Sequence, residues 1–244
     1  MRRWFLIAAV LVLAACHSSS SKKNGEQAFL DEVGTQSKEQ IMARGDALAD
    51  KKKWEDARKY YTFLSDTFPN DPLGRKATLK VADSFFAVGD TEGFTEAQLR
   101  YKDFSNRFPS DPNRAYALVM LAKCSVRQHK GPLRDLTPLR EATESLKQML
   151  QLFPKSQYTP EAKQLLSKCL EDLAQHEYLV ATYYANVRAW LGAKQRLDYL
   201  FANYPETEAA KTARPLADKV DEQLKSGPTP SPTPKPKAQT PGQH

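Results

Sequence analysis

The sequence predicts an all-α protein of stacked helical hairpins, and three observations carry that prediction. First, four aromatic-proline dipeptides punctuate the chain: Phe68-Pro69, Phe108-Pro109, Phe153-Pro154 and Tyr204-Pro205, spaced 40, 45 and 51 residues apart. Second, fixed columns precede each proline. Twelve residues before it stands an alanine (Ala57, Ala97, Ala142, Ala193), and three residues earlier a large apolar residue (Trp54, Phe94, Leu139, Trp190). Four residues after the alanine comes Tyr61, Tyr101, Leu146 or Leu197, and three further on Leu64, Phe104, Met149 or Leu200. Third, no segment reads convincingly as a strand.

The column offsets place every member on one stripe of a 3.6-residue helix. The alanine admits a neighbouring helix closely. The proline lacks an N–H and disfavours helix in the residue before it, so each helix stops there. Asp71-Pro72 and Asp111-Pro112 add helix starts, an aspartate cap before a first-turn proline. Each unit thus reads helix, turn, helix, stop, a tetratricopeptide-like hairpin lengthened beyond the usual repeat of about 34 residues. One insertion candidate is 129–137, with Gly131-Pro132.

In chain order, the partner helix of the first unit is expected at about 37–50, with Ile41, Gly45 and Leu48 inward. The second is expected at about 72–88, with Val81, Ala82, Phe85 and Phe86. The third follows Pro112 and carries Ala117, Leu121 and Cys124. The fourth starts near Pro160 and continues past Tyr183-Tyr184, long or kinked. A closing helix spans about 207–225. Four repeats and this helix make one domain, 36–225, that would coil as a superhelix. A hairpin cannot bury its own stripe, so neighbours stack and leave a concave face suited to peptides.

The flanks differ. Residues 1–15 read as a signal segment: Arg2 and Arg3, then an apolar run from Trp4 to Leu13, too short to span a bilayer. Leu13-Ala14-Ala15-Cys16 is a lipobox pattern, in which Cys16 takes a diacylglyceryl group and becomes the new N-terminus. Acylation there makes the protein a membrane-anchored lipoprotein. Residue 17 is His rather than Asp, which by resemblance to enterobacterial sorting implies an outer-membrane location facing the periplasm. Residues 16–35 are expected to be a flexible tether. Residues 226–244, with prolines at 228, 230, 232, 234 and 236, are expected to be a disordered tail, either a spacer or a peptidoglycan- or partner-binding segment.

The formal net charge of +7 is a mild excess that falls by two without Arg2 and Arg3. It suits acidic partners or headgroups, and no nucleic-acid motif accompanies it. Cys124 and Cys169 sit among apolar helical neighbours, where they are either free buried thiols or a bridge. His17, His129, His176 and His244 show no metal-ligand spacing. His176-Glu177 lacks the second histidine of a zinc-protease helix, which leaves His176 as a structural or interface residue. No nucleophile elbow, phosphate loop or dinucleotide turn is present, so neither enzyme nor cofactor is expected. The adjacent pairs Tyr60-Tyr61, Phe85-Phe86 and Tyr183-Tyr184 either pack wholly into the core or turn one member to a groove, with Tyr60, Phe86 and Tyr183 as the groove members.

The run from Trp54-Glu55-Asp56-Ala57 to Phe68-Pro69-Asn70-Asp71-Pro72, then Phe153-Pro154-Lys155-Ser156-Gln157-Tyr158, Leu173 to Glu177, Val180 to Tyr184, Arg196 and Tyr204-Pro205-Glu206-Thr207, behind a lipobox, resembles the BamD family of outer-membrane assembly lipoproteins. The stretch from Phe153 to Thr207 is its specific part. The resemblance implies a component of the complex that folds β-barrel proteins into the outer membrane. It implies contact with the POTRA domains of BamA through Arg196, Tyr183, Tyr184 and His176. It also implies a substrate groove for unfolded barrel proteins near Tyr60, Tyr61, Phe85 and Phe86. The lengthened turn from Gly89 to Phe94 and the proline tail depart from the family pattern. The alternative is a tetratricopeptide lipoprotein regulating peptidoglycan synthesis or cell division, which the tail would suit.

Overall fold

The computed structural model describes residues 25–227. The expected signal segment, the expected lipidation at Cys16 and the prolines beyond Gly227 lie outside the described residues. Every regular element among the described residues is helical, and the helices pack as tetratricopeptide-like hairpins. They are α1 (25–34), α2 (Lys38–Asp50), α3 (Trp54–Thr67), α4 (Pro72–Val88), α5 (Thr91–Arg107), α6 (Arg114–Gln128), α7 (Thr137–Leu152), α8 (Thr159–Asn186), α9 (Trp190–Asn203) and α10 (Glu208–Lys225). Two compact units divide the chain, one to Ala117 and one from Leu118.

The columns form the core of both units. The four alanines are fully buried, as are Leu64, Phe104, Met149 and Leu200 one turn before each stop. Tyr61, Tyr101, Leu146 and Leu197 are no more than 1% exposed. Each stop has one geometry. The N–H groups of Phe68, Phe108, Phe153 and Tyr204 donate to the carbonyls of Leu64, Phe104, Met149 and Leu200. The aromatic carbonyl then accepts from the N–H three residues on, at Asp71, Asp111, Ser156 and Thr207. Asp71 caps α4 by accepting from the Leu73 N–H at 2.8 Å, and Ser37 and Gln40 form a capping box on α2.

A second turn also recurs. Lys52 (φ 58°) and Arg188 (φ 60°) are both left-handed, just before Trp54 and Trp190. The following residues, Lys53 and Ala189, close each turn by donating to the carbonyls of Leu48 and Tyr184.

Several expectations change. The stretch 25–34 is helix α1, not tether, because Val33 is buried in the core of α2–α4 and Phe29 packs on the same cluster. Leu48 and Leu121 are half-buried rather than fully inward. α8 is one uninterrupted helix of 28 residues, long enough to pair with both α7 and α9. Its Glu171 carboxylate accepts from the N–H groups of Glu208 and Ala209 at 2.8 Å, fixing the start of α10. Cys124 and Cys169 are buried thiols with no bridge between them, and burial pushes the Cys169 thiol up to about 11. No helix among the described residues is long and apolar enough to cross a membrane.

Candidate functional site

The first unit holds a groove of about 1040 Å³ between α1 and the α2–α5 hairpins. Its floor is aromatic. Phe29 of α1 stands edge-on to Tyr60 (ring centroids 5.1 Å) and Phe63 (6.1 Å) of α3. Its far wall is cationic. Two guanidiniums stand over the Phe85 ring of α4, Arg58 of α3 at 4.2 Å and Arg100 of α5 at 4.8 Å. The Arg58 Nη1 is buried without a hydrogen-bond partner. A buried cationic N–H left unsatisfied costs about 1–3 kcal/mol, which an incoming carboxylate or carbonyl would recover. Aromatic floor, cationic wall and open top suit an extended or helical peptide with apolar and acidic side chains.

Of the expected groove residues, Tyr60 and Phe85 are here and two are not. Tyr61 is a core residue, 1% exposed, whose hydroxyl donates to Asp46 at 2.7 Å; burial and that carboxylate push its pKa up. It sits there because Gly45 opposite has no side chain: a Cβ would lie 2.6 Å from its ring. Phe86 turns away from the groove and packs on Phe94 at 5.3 Å. Even Tyr60 is only 7% exposed, because its hydroxyl donates to Glu32 of α1 at 3.0 Å. Sequence reading missed Phe29, Arg58 and Arg100. Phe29 and Val33, four apart, were the available sign that the tether held a helix.

The second unit carries the other set. Arg196 of α9 donates to Glu177 of α8 at 3.2 Å, and Glu177 is 5% exposed. Arg196 therefore neutralises a buried carboxylate as well as presenting a half-exposed guanidinium. Tyr183 is 65% exposed, and its ring stands edge-on to Tyr184 at 5.9 Å. Tyr184 packs over Gly192, where a Cβ would meet its ring at 3.1 Å. Val187 and Leu191 are also exposed, so the α8–α9 turn shows an apolar patch that sequence reading placed only at its tyrosines. His176 is an internal fastener: its Nδ1–H donates to the Pro132 carbonyl at 2.6 Å and pins the 129–136 loop. The described residues contain no grouping of His, Cys, Asp and Glu able to hold a metal.

A family model described as "YfiO: Outer membrane lipoprotein" matches residues 35–230. The chain is 25% identical over 214 residues to "Outer membrane protein assembly factor BamD" of Haemophilus influenzae, covering 84% of this chain and 77% of that protein. The protein of the same description in Neisseria gonorrhoeae is 24% identical over 207 residues, covering 81% of this chain and 75% of its own length. The one in Xylella fastidiosa (strain Temecula1) is 23% identical over 211 residues, covering 83% and 69%.

Proposed function

The chain belongs to the YfiO family of outer membrane lipoproteins, and from that premise we propose that it is a non-enzymatic assembly factor for outer-membrane β-barrel proteins. The observation that carries the reading is the match of nearly the whole described domain to a family of outer membrane lipoproteins and to proteins described as outer membrane protein assembly factors. In this reading Cys16 carries the lipid that holds the chain on the periplasmic face of the outer membrane. The first unit handles unfolded barrel chains through the groove around Tyr60 and Phe85. The aromatic floor and paired arginines support this, since they fit a peptide that is both apolar and acidic.

The second unit contacts the POTRA domains of a BamA-type partner through the patch at Tyr183 and Leu191, and separately through Arg196. Large apolar side chains exposed on the α8–α9 turn support the first part of that assignment.

The test is co-purification with the BamA-type barrel from detergent-solubilised outer membrane. Tyr183→Ala with Leu191→Asp removes the patch without touching the core, and the partner should be lost while thermal stability holds. Retention of the partner by this variant overturns the assignment. Arg196→Glu alone is less discriminating, because it strands the buried Glu177 carboxylate and destabilises the hairpin by about 1–3 kcal/mol. The conservative pair Arg196→Gln with Glu177→Gln separates loss of charge from loss of fold.

A further inference from the structure

We infer that α1 is a built-in occupant of one side of the first-unit groove, a short acidic-aromatic helix that must lift before a partner peptide of the same chemistry can reach Tyr60 and Phe63. The inference rests on the reading of that groove as a peptide site.

α1 meets the domain through one turn only. Phe29, Glu32 and Val33 are its only residues that are not solvent-exposed. Phe29 covers the aromatic floor, and Glu32 takes the Tyr60 hydroxyl and faces Arg44 at 3.8 Å. An aromatic residue and a carboxylate, three apart, thus sit on the groups that would recognise a ligand. Val33 alone enters the core, at the end where α1 joins α2. It can stay as a pivot when the rest lifts.

Two further observations separate α1 from the scaffold. It has ten residues, fewer than the ~12–15 an isolated helix needs in water, so its helicity depends on docking. It also lies just before residue 35, where the match to the family model begins. Nor does it satisfy the site: with α1 in place, Arg58 Nη1 has no hydrogen-bond partner. An occupant that covers the aromatic floor but leaves the buried cation open can be displaced by a longer ligand that reaches both.

A closed groove reduces apparent affinity by the fraction of time it is open. The probe is a fluorescent synthetic peptide of residues 25–34, titrated by anisotropy into full-length mature protein. Phe29→Ala with Glu32→Lys should bind it at least tenfold more tightly than wild type, and Arg58→Ala in that background should not abolish binding. Glu32→Lys alone, which keeps the apolar contacts, should give an intermediate gain. Equal affinity for wild type and the double variant overturns the inference, as does absence of binding to both at unchanged helicity. A second titration uses a peptide from the last strand of an outer-membrane barrel. If it fails while the 25–34 peptide binds the opened groove, the occupant stands and the substrate reading falls. If it binds wild type and the double variant equally, the substrate reading stands and the occupant falls.

Discussion

At the residue scale, glycines and charges decide which aromatic side chains are core and which are surface. Gly45 makes the slot that Tyr61 fills, and Asp46, one residue on, takes its hydroxyl. Gly45→Ala should therefore destabilise, although alanine is the better helix former by roughly 1 kcal/mol. The added methyl meets a ring that cannot move, and overpacking of this kind costs about 1–3 kcal/mol. A lower urea midpoint at unchanged slope checks it. The column pattern foretells only half of this assignment. In Tyr60-Tyr61 both residues have the same chemistry, and the stripe offsets select Tyr61 for the core. The fate of Tyr60 depends on Phe29 and Glu32, distant in sequence and set in a polar stretch.

Cysteine behaviour belongs to the same scale. Burial raises the Cys169 thiol to about 11, so the folded state holds its proton where the unfolded state has lost it. The stability this group contributes is present below about pH 9 and declines as pH rises towards 11. Iodoacetamide at pH 8 should label neither Cys124 nor Cys169 in native protein and both after unfolding, read by intact mass. A native disulfide would leave both unlabelled even in denaturant.

At the element scale, helix ends were the most legible feature because they rest on local chemistry. Proline lacks the N–H that a helix interior needs and disfavours helix in the residue before it, and each aromatic-proline step ends a helix as read. The closing helix was also read as it stands, across a proline. Pro215 lies inside α10, exposed to solvent. It leaves the Lys211 carbonyl without its usual donor, and the buried stripe of Ala209, Ala210, Ala213 and Val220 holds the helix across it. Pro215→Ala restores that bond and should stabilise by about 1–3 kcal/mol, seen as a higher melting temperature.

At the scale of the whole molecule, the repeats were legible because four copies of one stripe average out local accident. The groove was not. Its cationic wall gathers Arg58, Phe85 and Arg100 from three helices, and no one-dimensional spacing marks them as neighbours. Stacked repeats also need a closing element. A chain ending at residue 227 should melt as the full chain does. One ending at residue 207 loses α10, uncovers Leu197 and Leu200, and should aggregate, as size-exclusion chromatography would report.

The identical stops at Phe68, Phe108, Phe153 and Tyr204 carry one more consequence. Repeat lengths differ by up to eleven residues, yet the same four columns are filled in every copy. Each stop closes its own carbonyls before the next helix starts, so helical phase is zeroed there, and the excess length is taken up between stops, in the 129–136 loop of the third repeat and in the 28-residue α8 of the fourth. An insertion or deletion in one hairpin need not rotate the stripe of the next. A chain built this way can gain or lose residues over generations, one frame at a time, without dismantling its core.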